Sequence, residues 1–354
     1  VMLHMNTQAS VANTIVIAPD TIANVGIMAG YTPSYRFQVG SNLYVDDSSS
    51  AKTIGLGDGY KIATPSNVWF QATSGDRVTI GSSTTQAGEK SIVIGAAAGN
   101  AANVVSIGFG HSGTPEANVV KIGSYSTTTE ENSISIGNKP KAGVDGVSIG
   151  SNAGTLTGNF NVSIGKDAGA IGQGSLSVAI GRGAGASNQS VATVAIGNQA
   201  GESTQGTHSV AVGLQAGRTT QGEQAVAIGY GAASNDQYGR AIAIGHSAGG
   251  QFQGCSSVAV GHSAANSSQQ ANAVAIGYQS GYYTQNTAAV SIGIEAGYQG
   301  QQANSIAIGI QSGKFNQHGN AIAIGMQAGY NTQNNYGIAM GFGAGYSNQG
   351  TQGM

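Results

Sequence analysis

A tetrapeptide of the form Val/Ile, Ala/Ser, Ile/Val/Met, Gly returns every sixteen residues from Gly165 onward. Its glycine falls at 165, 181, 197, 213, 229, 245, 261, 277, 293, 309, 325 and 341 without a slip. Repetition at a short fixed period constrains a chain strongly, because each unit must make the same contacts with its neighbours. Sixteen residues are too few for two helices and a turn. β-Branched residues alternating with small ones, with glycine at the corners, predict one coil of two short strands and two turns per repeat. Coils of this kind stack about 4.8 Å apart. The expected fold class is therefore all-β, a parallel β-solenoid.

The same tetrapeptide, looser at its second position, ends upstream at Gly81, Gly95, Gly108, Gly123, Gly137 and Gly150, giving eighteen coils in all. At the coil spacing they predict a shaft of roughly 80 to 90 Å. The organisation reads as an irregular region over 1–75, coils of 13–15 residues over 76–164, and strict 16-residue coils over 165–354. The first region fits the repeat poorly and is read as an attachment or registration end. Its Asp46 and Asp47, with Asp58, are read as turn formers rather than calcium ligands. Twelve near-identical coils cannot fix their own register, so a nucleating domain is expected: either a C-terminal trimerisation or chaperone domain was removed after folding, or the C-terminal end abuts a partner or another fibre subunit, with 1–75 as the attachment or interlocking end.

With the tetrapeptide glycine numbered zero, positions −3 and −1 hold large branched residues, as in Val178 and Ile180 or Ile322 and Ile324. Strand alternation sends both to one face, expected here to fill the coil interior. Positions −4 and −2 are small, and at −2 stand Ala179, Ala195, Ala211, Ala227, Ala243, Ala259, Ala275, Ala307, Ala323 and Ala339. This Ala/Ser face is expected to form the oligomer interface, because small side chains let backbones approach closely. Glutamine occupies +8 in every regular coil: Gln173, Gln189, Gln205, Gln221, Gln237, Gln253, Gln269, Gln285, Gln301, Gln317, Gln333 and Gln349. Such a column predicts an amide ladder, each carboxamide bonding to those above and below.

Composition removes several functions. Charged residues are 8% of the chain and the net charge is −2, which argues against a basic nucleic-acid-binding face. Apolar runs are too short to span a bilayer, and the single cysteine, Cys255, excludes an internal disulfide framework. His246 and His262, at +1 in neighbouring coils, are read as surface histidines rather than metal ligands, so no metal or cofactor is expected. The carboxylates Asp167, Glu202, Glu223, Asp236 and Glu295 do not fall at matching positions of adjacent coils, as a glycoside-cleaving pair would require. Tyrosines at +5, namely Tyr282, Tyr298, Tyr330 and Tyr346, interrupted by Lys314, form the candidate ligand-binding surface. Aromatic rings with Asn and Gln in a charge-poor field suit a glycan or a protein receptor.

Ser177-Val178-Ala179-Ile180-Gly181, Ser209-Val210-Ala211-Val212-Gly213 and Ser257-Val258-Ala259-Val260-Gly261 resemble the head repeats of trimeric autotransporter adhesins. That resemblance implies a left-handed parallel β-roll wound into a homotrimer. The 16-residue form, as in Gly277-Tyr278-Gln279-Ser280-Gly281-Tyr282, is similar to phage and giant-virus tail-fibre shafts, and the stretch from Phe37 to Asp47 is similar to a segment that opens such shafts. The expectation is a non-enzymatic trimeric fibre or adhesin, extracellular, on a virion or cell surface. Its partners are further copies of itself, a surface anchor and a glycan or protein receptor, with no nucleic acid and no membrane insertion. The alternatives are a subunit of an end-to-end extracellular filament and a polysaccharide-degrading tailspike.

Overall fold

Each regular tetrapeptide forms a three-residue strand, from Val162–Ile164 to Ile338–Met340, with β-branched residues suited to the pleat. The computed structural model describes residues 77–80, 91–96, 103–111, 117–127, 130–154 and 158–353, all within the compact unit Trp69–Met354. The readings made for 1–75, including Asp46, Asp47, Asp58 and the stretch from Phe37, lie outside the described residues. Every strand pairs in parallel with its counterpart one coil on, and together they make an 18-stranded sheet. The register follows the sequence spacing: Val178 faces Val194, Ala179 faces Ala195 and Ile180 faces Ile196. Upstream the step shortens, so that Arg77 pairs with Ser91 and Ile92 with Val105.

A second wall forms around positions +7 and +8. It comprises a six-stranded sheet from Thr204–Gln205 to Thr284–Gln285, and a three-stranded sheet of Phe315–Gln317, Asn331–Gln333 and Ser347–Gln349. A bridge between Gln285 and Gln301 continues the second wall one coil beyond the six-stranded sheet. The regular coil therefore has two strands and two turns, and no helix occurs among the described residues. The fold is a parallel β-solenoid.

The coil interior is the reverse of what side-chain size suggested. Ala179, Ala195, Ala211, Ala227, Ala243, Ala259, Ala275, Ala307 and Ala323 are 0% exposed within a single chain, and Ala339 is buried with them. They pack against the +3 alanines, such as Ala184, Ala200 and Ala248. Residues enclosed by their own coil cannot meet another subunit, so the alanine column is the core and not an oligomer interface. Val and Ile at −3 and −1 point outward, half-buried or exposed. The reason is geometric: a coil that also encloses a glutamine has room opposite it for a side chain no larger than that of alanine or serine. At Gly201 an added Cβ would already lie 2.9 Å from Gln205 Oε1 and 3.4 Å from Ala195 Cβ.

The tetrapeptide glycine is required for another reason. At Gly245 φ is +129°, and a Cβ would stand 2.6 Å from the carbonyl oxygen of Gly261 in the next coil. Only glycine allows that backbone approach.

Candidate functional site

The outward side of the large sheet carries a row of exposed and half-buried apolar residues along the solenoid. At −3 and −1 each regular coil presents Val or Ile, then Ile, Val or Met; at +1 the first three regular coils carry Lys166, Arg182 and Asn198, and the next nine carry Leu214, Tyr230, His246, His262, Tyr278, Ile294, Ile310, Met326 and Phe342 in succession. Ile228 is 38% exposed, Ile310 45% and Phe342 74%. With a strand rise of about 3.3 Å and a coil spacing of about 4.8 Å, the nine coils from Leu214 to Phe342 present on the order of 570 Å² from −3 to +1, and the narrower −3/−1 pair continues this strip along the earlier described coils. Exposed apolar patches beyond a few hundred Å² mark interaction sites. A stable protein interface buries about 800 Å² per partner.

Two aromatic columns run along the solenoid. At +1, Tyr230, His246, His262 and Tyr278 stack with centroid separations of 4.9, 4.7 and 5.3 Å and interplanar angles of 20°, 8° and 19°. At +5, Tyr282 stacks on Tyr298 at 5.3 Å and Tyr330 on Tyr346 at 4.8 Å. Lys314 fills the gap between these pairs. Its Nζ lies 5.7 Å from the Tyr298 and Tyr330 ring centres and 5.3 Å from Phe315, and donates to Glu295 Oε2 at 2.7 Å. Gln311 also donates to Glu295, and these two donors hold its carboxyl below the usual carboxylate range. Burial together with the neighbouring Tyr283 raises the Tyr298 phenol. The structure thus gathers the four predicted tyrosines into one column, but their faces are largely spent on each other. Ring edges and hydroxyls are what remain for a ligand.

The glutamines line the interior. From Gln189 to Gln333 each Nε2 donates to Oε1 of the glutamine one coil on, at 2.9–3.2 Å, ending on Gln349. Each also donates to the −3 carbonyl of its own coil, as Gln253 does to Ile242 O at 2.7 Å. Gln173 is enclosed as well, but its Oε1 accepts from Ser163 Oγ and its Nε2 donates to Val162 and Ser177 carbonyls. Gln189 Oε1 consequently has no partner.

A buried polar group in the shorter coils was not anticipated from the sequence. Ser106 Oγ lies 2.8 Å from His111 Nδ1, whose Nε2 lies 3.1 Å from Gly123 O, and Lys121 is enclosed in the next coil. Burial, and to a lesser degree Lys121, lowers the His111 imidazole, while its bond to Gly123 opposes them. Burial alone lowers Lys121 to about 8. Ser106 is 0% exposed, so this serine and histidine form an internal tie with no access for a substrate. Ser106 and Lys121 stand at −2 and His111 at +3, and side-chain size placed −2 outside the coil, so nothing in the pattern marked them as enclosed.

Three of the five carboxylates considered for hydrolysis are engaged separately: Asp167 by Asn152, Glu202 by Gln199 beside Arg218, and Glu295 by Lys314 and Gln311. No protein-family model matches the chain, and no curated protein matches it.

Proposed function

We propose that this chain is a non-enzymatic fibre subunit whose copies associate side by side along the outward Val/Ile face as a homotrimeric shaft. The observation that carries this reading is the apolar −3/−1 strip, widened by the +1 column from Leu214 to Phe342, on a sheet whose own core is complete without it. The strip repeats at the coil spacing, and only a surface with the same repeat matches it along its whole length. Another copy of this chain has that repeat. The Ser-Val-Ala-Ile-Gly motif supports a threefold arrangement and a place on a virion or cell surface, where the shaft acts as a spacer or adhesin. Receptor contact, by a glycan or a protein, falls to the outward tyrosine edges and hydroxyls of the +5 column, with Asn and Gln of the nearby turns.

Sedimentation equilibrium of the intact chain tests the reading. A trimer is expected. A folded wild-type monomer that leaves this face in water at micromolar concentration overturns it.

A further inference from the structure

We propose that His246 and His262 make association through this face pH-sensitive, joining copies at neutral pH and releasing them in acid. The inference rests on the association reading above.

Between Leu214 and Phe342 the +1 column is apolar or aromatic, and these two side chains alone in it become charged near neutrality. Both are exposed in the single chain and lie parallel, 4.7 Å apart, between Tyr230 and Tyr278. The strands beside them, Ile242–Ile244 and Val258–Val260, and the flanking Val226–Ile228 and Val274–Ile276, carry no ionisable residue. Asp236 belongs to the second sheet, paired with Phe252, and Arg240 stands in the turn before Ile242. At +2 the neighbours are Ser247 and Ser263, the latter donating its backbone N–H to His246 O. Among the described residues, the +1 neighbours on either side are tyrosines, so the phenols of Tyr230 and Tyr278 are the titratable groups facing the pair.

Neutral imidazoles stack and tolerate removal from water in an apolar interface. Two imidazolium rings at this separation repel each other, and both would be desolvated without a counter-charge. Association therefore favours the unprotonated pair, and dissociation takes up protons. By linkage the association constant falls as pH drops through the histidine range, by at most about tenfold per pH unit for each histidine involved. Every copy brings both rings, so the effect compounds with the number of copies.

The test is sedimentation of the full chain at about pH 7.5 and about pH 5.5, wild type against H246Y/H262Y, with circular dichroism recorded in parallel. Tyrosine already fills +1 in the coils on either side, so the variant suits the fold. Wild type is expected to lose at least about tenfold in association in acid while keeping its β signal, and the double variant to remain associated. Wild-type association unchanged in acid overturns the switch. A double variant that dissociates like wild type also overturns it, moving the effect to His111, His208, His318 or the carboxylates. Wild type monomeric at both pH values removes the association reading and the switch together, whereas wild type associated at both removes the switch alone.

Discussion

The corner at +4 shows what one methyl group does in this coil. Gly249 and Gly281 have φ of +57° and +55°, and an added Cβ at either would come within 3.0 Å of the buried glutamine's oxygen. Two coils carry alanine there instead, Ala233 at φ 46° and Ala265 at φ 48°. Left-handed backbone costs an L-residue about 1–2 kcal/mol, part of which glycine returns as unfolded-chain entropy. Ala233→Gly and Ala265→Gly are each expected to stabilise by about 1 kcal/mol, read as a raised urea midpoint. An unchanged or lowered midpoint would show that the corner already accommodates the methyl group. Lys121 makes the opposite kind of exception, a cation where neighbouring coils place serine. Its folded value is about 8, and an unfolded lysine titrates near about 10.4. Between those limits the unfolded chain holds more protons, so stability rises with pH there; below them both states are charged and the penalty is constant. Lys121→Met is expected to stabilise the surrounding coils by about 3 kcal/mol at neutral pH and to flatten that rise. Hydrogen exchange of these coils measured between about pH 7 and about pH 10 checks both parts.

At the scale of the element, the glutamine ladder links the coils from inside, in addition to the backbone bonds and the outward aromatic stacks. Gln253 accepts from Gln237 and donates to Gln269 and to Ile242 O, so removing it takes the donor from two buried oxygens, while Gln237 Nε2 keeps the Val226 and Ala241 carbonyls. Gln253→Ala is expected to cost about 3 kcal/mol. Gln173→Ala is expected to cost less, because Gln173 passes no hydrogen bond to Gln189 and the ladder above it is untouched. Equal losses in melting experiments would show that the amides act singly rather than as a column. The strands, their parallel register and the alignment of the glutamines were legible in the sequence, since spacing alone fixes which residue meets which in the next coil. The facing of the strand was not. Hydrophobicity places Val178 and Ile180 inside and Ala179 outside, but a coil already holding Ala184 and Gln189 excludes branched side chains. A usable signal was present nonetheless: −2 and +3 accept only Ala or Ser in the regular coils, whereas +1 runs through Leu, Tyr, His, Ile, Met and Phe. Tight restriction to small residues marks the enclosed side. The aromatic columns were legible as positions but not as orientations, because only coordinates show that the rings stack along the solenoid and turn their edges outward.

For the whole molecule the inverted facing decides what assembly can use. Ala243 and Ile244 are sequence neighbours on opposite sides of one strand, the first 0% exposed and the second 37%. Ala243→Leu forces three extra carbons into a filled interior opposite Gln253, and overpacking of that kind costs about 1–3 kcal/mol. Its damage should be local, appearing as a lowered melting temperature and faster hydrogen exchange in the coils around it. Ile244→Asp leaves the interior intact and sets a carboxylate in the middle of the apolar strip. An unpaired charge cannot be desolvated there without several kcal/mol of penalty, so the copies should separate while the β signal and single-chain hydrogen bonding persist. The pair of variants thus divides folding from assembly. The strip also bears on register, because −3 and −1 are nearly the same in every coil and would let copies slip by one step. The +1 column, by contrast, has a non-repeating order from Leu214 to Phe342. A one-coil slip would move each His246 from its own layer to that of Tyr230 or His262 on the neighbouring copy. Replacing the whole column by isoleucine should then keep association but broaden it into a mixture of staggered species, resolved by native mass spectrometry of proteolytically trimmed shafts. A single in-register species from that variant would assign register to some other part of the chain.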